Sequence, residues 1–290
     1  MGCCQTVDQH HLRSSDVALL TQNAKFHLPS VVVDRCCDES CPLRASPAGA
    51  PDCGTCSGLG SRATTGSIDS QICFSAPDQT MLIFDWDDTL FPTSWLLERE
   101  NMEALDTFDK YELLRYVAQF QAVVSIAKSV GEVVIVTNSR PPWVDTSMDL
   151  FMKDTDTIAD VPVFYAMDLA GGSPDLCPTQ TKVQAMEAAV NAFYSRYPGQ
   201  SWKNIVSVGD AVFEQDAIRE VCTGRPIHTL DRTCRTKIVK FVEQPSLGCL
   251  VEQLTLLASW LLRVVQADGD VNIDMNAGGR RLQEWADEYG

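Results

Sequence analysis

The sequence predicts an α/β fold, a doubly wound parallel sheet preceded by a disordered N-terminal tail. Three observations lead to it: short apolar runs, helical periods between them, and carboxylates placed directly after two of the runs. Met81 to Phe84, Val133 to Val136 and Ile205 to Val208 have the length and composition of strands covered on both faces, and Val161 to Tyr165 is a weaker fourth. Between them Leu113, Val117, Phe120, Val124 and Ala127 recur every three or four residues, as do Val183, Met186, Val190, Phe193 and Tyr197. Leu247, Leu250, Leu254, Leu257, Leu261 and Val264 form a third such stripe. Strands alternating with helices build βαβ units, whose crossovers give an open sheet with its ligand beyond the carboxyl ends of the strands.

Composition narrows the function classes. The 290 residues carry 23 Lys and Arg against 39 Asp and Glu, a net charge of −16, so the chain has no electrostatic footprint for a nucleic-acid partner. Its most apolar stretch, Leu247 to Val265, is interrupted by Glu252, Gln253 and Arg263, which argues against a membrane span. We expect residues 1–76 to be a tether, 77–266 a catalytic domain and 267–290 a polar tail. Asp268, Asp270 and Asn272 begin like a calcium loop, but Ile273 and Gly279 stand where that loop needs Gly and Glu.

The first residues read Met1-Gly2-Cys3-Cys4-Gln5-Thr6, the pattern for myristoylation of Gly2. One such chain holds a membrane only marginally and needs a second signal. Residues 1–35 balance three basic against three acidic side chains, so a polybasic patch cannot supply it, whereas S-acylation of Cys3 and Cys4 can. A lipid-anchored place on the cytoplasmic side of a membrane is the expectation. Eight of the 12 cysteines precede residue 75. Cys53 and Cys56 form the one Cys-x-x-Cys, in a stretch (43–70) with 19 of 28 residues Gly, Pro, Ser, Ala or Thr. Whether Cys36, Cys37, Cys41, Cys53 and Cys56 are idle, acylated or metal ligands stays open.

The chemistry lies at the strand ends. The first run leads into Asp85-Trp86-Asp87-Asp88-Thr89, the second into Thr137-Asn138-Ser139, and the Ile205 run into Gly209-Asp210 with Glu214 a turn later. Lys182 opens the Val183 helix. Alternation turns Asp85 and Asp87 to one side and Trp86 to the other. Adjacent carboxylates repel unless a cation separates them or one is protonated, and with Asp210 they make an oxygen-rich nest of the kind Mg²⁺ takes. No Gly-x-Gly-x-x-Gly follows a strand, which disfavours a dinucleotide enzyme.

In these motifs the segment from about Thr80 to Gln253 resembles the haloacid-dehalogenase-like superfamily of phosphatases, with a small cap or none. Asp85, Asp87 and Thr89 match its first motif, Thr137 its second, Lys182 its third and Gly209-Asp210 its fourth. The resemblance implies Mg²⁺-dependent hydrolysis of phosphate monoesters through an aspartyl-phosphate. Asp85 would be the nucleophile and Asp87 the general acid/base. Thr137, Asn138 and Lys182 would hold the phosphoryl group. The metal would take Asp85, the Asp87 main-chain carbonyl, Asp210 and Glu214. Two positions depart from the pattern: Glu214 stands where Asp is usual, with Asp216 as its competitor, and Lys153 competes with Lys182. Asp85 and Thr137 are 52 positions apart, and Thr137 and Lys182 are 45 apart, leaving no room for a large cap. An open site suits a bulky phosphorylated substrate, a phosphoprotein or a lipid headgroup. Trp95 and Trp143 would line the entrance or cover a core edge. The alternative reading is a membrane-tethered binding or scaffold protein that keeps the fold without turnover.

Overall fold

The computed structural model describes residues 72–99, 105–152, 156–169, 171, 177–196, 200–223 and 234–277. Gly2, Cys3, Cys4, Cys36, Cys37, Cys41, Cys53, Cys56 and Lys153 lie outside the described residues.

The expected fold class is the observed one. Six strands, β1 (Thr80–Phe84), β2 (Glu132–Thr137), β3 (Val163–Tyr165), β4 (Asn204–Gly209), β5 (Arg235–Lys240) and β6 (Val271–Asp274), form one sheet in the order 3-2-1-4-5-6. Every neighbouring pair is parallel. Helices α1 (Thr93–Leu97), α2 (Thr107–Val130), α3 (Trp143–Phe151), α4 (Ala166–Leu169), α5 (Pro178–Tyr194), α6 (Val212–Thr223) and α7 (Leu247–Gln266) connect them.

Period-two alternation divides the central strands between two cores. Leu82, Phe84, Val133, Ile135, Val206 and Val208 bury against α2 and α7. Met81, Ile83, Val134, Val136 and Ile205 bury against α5 and α6 on the other face. The leucine stripe of α7 is one wall of the first core: Leu250, Leu254 and Leu261 are each 0% exposed. By length and composition α7 is apolar enough to cross a membrane, yet its buried leucines are taken up in the core it shares with α2 and the sheet. Each fully buried leucine there contributes about 1.5–3 kcal/mol.

The sheet extends further than the sequence suggests. Two strands were not foreseen, and one, β6, falls in the stretch expected to be a polar tail. In β6, Val271 and Ile273 are buried while Asn272 is exposed. Its neighbours Asp268 and Asp270 serve the sheet edge, Asp268 pairing with Arg235 Nε at 2.6 Å and Asp270 accepting the Thr236 N–H at 2.7 Å.

The chain runs out from β1 to β3 and returns to place β4 beside β1. The strand order therefore reverses between β1 and β4, and a crevice is expected beyond their carboxyl ends. At the opposite end of the sheet β5 buries Lys237, which is 0% exposed. Its ammonium donates to Asn204 Oδ1 and, at 3.2 Å, to the Val265 carbonyl.

Burial, with Arg235 adding repulsion, pulls Lys237 down to about 7. Between about pH 7 and its ordinary value near 10.4 the unfolded chain then binds more protons than the folded one, so stability rises with pH across that window. Three units of difference correspond to roughly 4 kcal/mol. Chemical denaturation of Lys237→Met beside the parent should show the variant's advantage shrinking by a few kcal/mol from pH 7 to pH 10. A difference that stays constant over that range contradicts the assignment.

Candidate functional site

Asp85 follows β1 and continues the ladder, its N–H donating to the Val208 carbonyl at 2.9 Å. Asp210 follows β4, and Glu214 stands in the first turn of α6. Their carboxylate oxygens lie within 4.8 Å of one another, with Asp85 and Glu214 buried and Asp210 half-buried. Lys182 reaches them from the second turn of α5. Its buried ammonium pairs with Asp85 Oδ1, with Glu214 Oε1 at 2.9 Å, and with the Val136 carbonyl at 2.6 Å.

Three carboxylates against one ammonium leave the cluster short of positive charge. Burial, reinforced by Glu214, pushes the Asp85 carboxyl well above the usual carboxylate range even though Lys182 opposes it. Burial, with Glu214 and Asp85 beside it, does the same to Asp210. Burial alone would lower Lys182, but Asp85 and Glu214 together outweigh it and raise its proton affinity. The site therefore favours added positive charge, whether protons or a cation. An all-oxygen donor set suits a hard divalent cation.

Glycine at 209 makes this approach possible. A Cβ there would stand 1.8 Å from Glu214 Oε2. The same oxygen accepts the Ala211 N–H at 3.2 Å, at the positive end of α6. Lys240, at the end of β5, donates to the Asp210 carbonyl at 2.7 Å and holds that loop from the other side.

Asp87 lies apart from this cluster in bonding. Oδ1 accepts from Thr93 Oγ1 at 2.6 Å and Trp143 Nε1 at 2.8 Å, while Oδ2 accepts from Ser139 Oγ at 2.6 Å and Thr137 Oγ1 at 3.2 Å. Asp88 takes a left-handed backbone, φ +56°. An aspartate tolerates this because its side chain bonds locally, accepting from Ser94 N at 2.8 Å and from Ser94 Oγ. Burial pushes Asp88 up to about 6, with the Ser94 bonds pulling the other way.

The predicted residues thus fall into two groups. Asp85, Lys182, Asp210 and Glu214 converge. Thr137 is fully buried, its hydroxyl turned to Asp87 and accepting the Ser139 N–H at 3.0 Å. Asn138 accepts from Thr181 Oγ1 at 3.0 Å, while its buried Nδ2 has no acceptor among the described residues. Between the two acids competing for the α6 position the geometry chooses Glu214, since Asp216 is exposed and paired with Arg219 at 3.3 Å. Trp86 points away as expected, its Nε1 donating to Ser147 Oγ at 3.0 Å. Of the two readings of Trp95 and Trp143, entrance or core, the structure supports the core one: they are 5% and 2% exposed. Thr93, Ser139 and Lys240 were not foreseen. Ser139 and Lys240 lie at strand ends, which could have signalled them; Thr93, nine residues past β1, had no such mark.

Comparisons of the chain with protein-family models, with curated proteins and with solved structures return no match.

Gly209→Ala should destabilise the fold by about 1–3 kcal/mol, as overpacking does. The loss should shrink markedly in a Glu214→Ala background, because the clash is with that side chain. A double-mutant cycle by denaturation measures the coupling. Additive losses would contradict the proposed close approach.

Proposed function

We propose that the chain is a haloacid-dehalogenase-like phosphatase that hydrolyses phosphate monoesters with Mg²⁺ through an aspartyl-phosphate. The observation that carries this reading is the convergence of Asp85, Asp210 and Glu214 around Lys182 at the carboxyl ends of β1 and β4. Asp87 is the second acid on the same loop. Sheet order and strand-end position are compatible with the family, and the motif residues quoted above supply the rest.

In this mechanism an Asp85 oxygen attacks phosphorus as the bond to the leaving oxygen breaks. Asp87 gives its proton to that oxygen and the alcohol departs. Asp87, now a carboxylate, takes a proton from water whose oxygen attacks the phosphorus of the aspartyl-phosphate. The bond to Asp85 then breaks, releasing inorganic phosphate and regenerating both carboxyl groups. Lys182 keeps positive charge beside the reacting phosphoryl group, and the Asn138 amide N–H, lacking an acceptor among the described residues, is free to donate to one of its oxygens. Mg²⁺, held by Asp85, the Asp87 main-chain carbonyl, Asp210 and Glu214, would shield the anionic nucleophile from the anionic substrate.

Substrate bulk follows from the short connections. Among the described residues, only α1 and α2 fill the span from β1 to β2, and α3, β3 and α4 fill that from β2 to α5. No stretch outside the description in either span exceeds five residues. A phosphoprotein or a lipid headgroup fits such a site. The placement at a membrane rests on the Gly2, Cys3 and Cys4 acylation motif.

Release of inorganic phosphate from a generic phosphate ester, measured with and without Mg²⁺, tests the reading. The parent should turn over only with the metal, and Asp85→Asn should lose at least 10³-fold in kcat, as removal of a covalent nucleophile does. Equal, negligible rates in parent and variant would instead favour the scaffold reading.

A further inference from the structure

The four donors to Asp87 are chemically unequal. Three are hydroxyls, from Thr93, Thr137 and Ser139. A hydroxyl can turn from donating to accepting when its partner gains a proton, whereas an indole N–H can only donate. The bond from Trp143 Nε1 to Asp87 Oδ1, 2.8 Å, is therefore the one that persists unchanged whether Asp87 is an acid or a carboxylate.

The Trp143 ring is also held by its aromatic neighbours. It is 2% exposed and meets Phe91 edge-on, ring centres 5.8 Å apart at 86°. Phe91 in turn stacks on Trp86 at 5.5 Å, within 5° of parallel, and Trp86 is tied to α3 through Ser147. Two elements are thus clasped by three rings: the loop after β1 that carries Asp87, and the helix that carries Trp143. Short rotatable hydroxyls cannot impose a direction in this way.

We propose that Trp143 is a positioning residue, its N–H fixing the rotation of the Asp87 carboxyl so that the proton passes to the leaving oxygen. The inference rests on the phosphatase reading above and deepens it by naming what aims the acid. The surrounding hydroxyls adjust to each protonation state while the indole holds the carboxyl plane.

Leaving-group dependence separates this role from simple packing. An alkyl phosphate needs its leaving oxygen protonated, while 4-nitrophenyl phosphate expels a stable anion and needs little help. In the full-length protein with Mg²⁺, Trp143→Phe keeps a ring against Phe91 and removes the donor together with part of the ring's volume, a packing loss that would fall on both esters alike. Expected is a fall of about 10-fold or more in kcat for the alkyl ester, a fall under about 3-fold for the aryl ester, and KM within about 2-fold for both. Equal losses on the two esters, or none, overturn the inference while leaving the phosphatase reading standing. No turnover of either ester by the parent overturns both. Should Trp143→Phe fail to fold, the indole ¹H–¹⁵N spectrum of the parent against Asp87→Asn decides: one of the six indole signals must move strongly, and six unmoved signals overturn the inference.

Discussion

One buried ammonium holds two carboxylates together where β1 and β4 end. Asp85 and Glu214 are 7% and 3% exposed and Lys182 is 1% exposed, so each is largely withdrawn from solvent. Isolated, each would cost several kcal/mol to bury; pairing with Lys182 offsets part of that cost. The arrangement is possible because three separate elements deliver their groups to one point: the first residue after β1, the second turn of α5 and the first turn of α6. It also depends on Gly209, whose missing side chain is the space the Glu214 carboxylate occupies. Asp210 adds a third acid without adding a second cation, which leaves the cluster poised for further positive charge.

Asp87 obeys a different logic two residues on. Among the described residues it meets neutral donors, from the start of α1, the end of β2 and the start of α3. Neighbouring acids on one loop are thereby given separate environments, one governed by charge and burial, the other by directed hydrogen bonds. In the mechanism we propose, that division would serve a nucleophile and a proton carrier sharing one site. Local geometry supports it: Asp88, in a left-handed conformation, grips Ser94 and so anchors the start of α1, from which Thr93 reaches Asp87.

Much of this was legible from the residues. Continuous apolar runs marked β1, β2 and β4, because a strand covered on both faces has no polar side to disguise it. The acids following β1 and β4 marked the site, because the chain leaves every parallel strand at the same edge. β5 escaped notice because Arg235, Lys237 and Lys240 interrupt its apolar pattern, although Lys237 and Lys240 are buried in hydrogen bonds to carbonyls. β6 is an edge strand of four residues, two of them polar, too short for a period to register. The donors to Asp87 were invisible for another reason. A lone threonine, serine or tryptophan carries no spacing signal, and its role exists only once helices and strands bring it within 3 Å. Glu214 and Asp216 were separable only when α6 set which of them faces inward.

The central claim is that Asp85, Asp210 and Glu214 close around a single hard divalent cation. Mn²⁺ reports such binding directly through its electron paramagnetic resonance signal, which is quenched on binding. Titrating the full-length parent should show one saturable site per chain, displaced by Mg²⁺ and lost in Asp210→Asn. No saturable site in the parent, or the same site undiminished in Asp210→Asn, would contradict it.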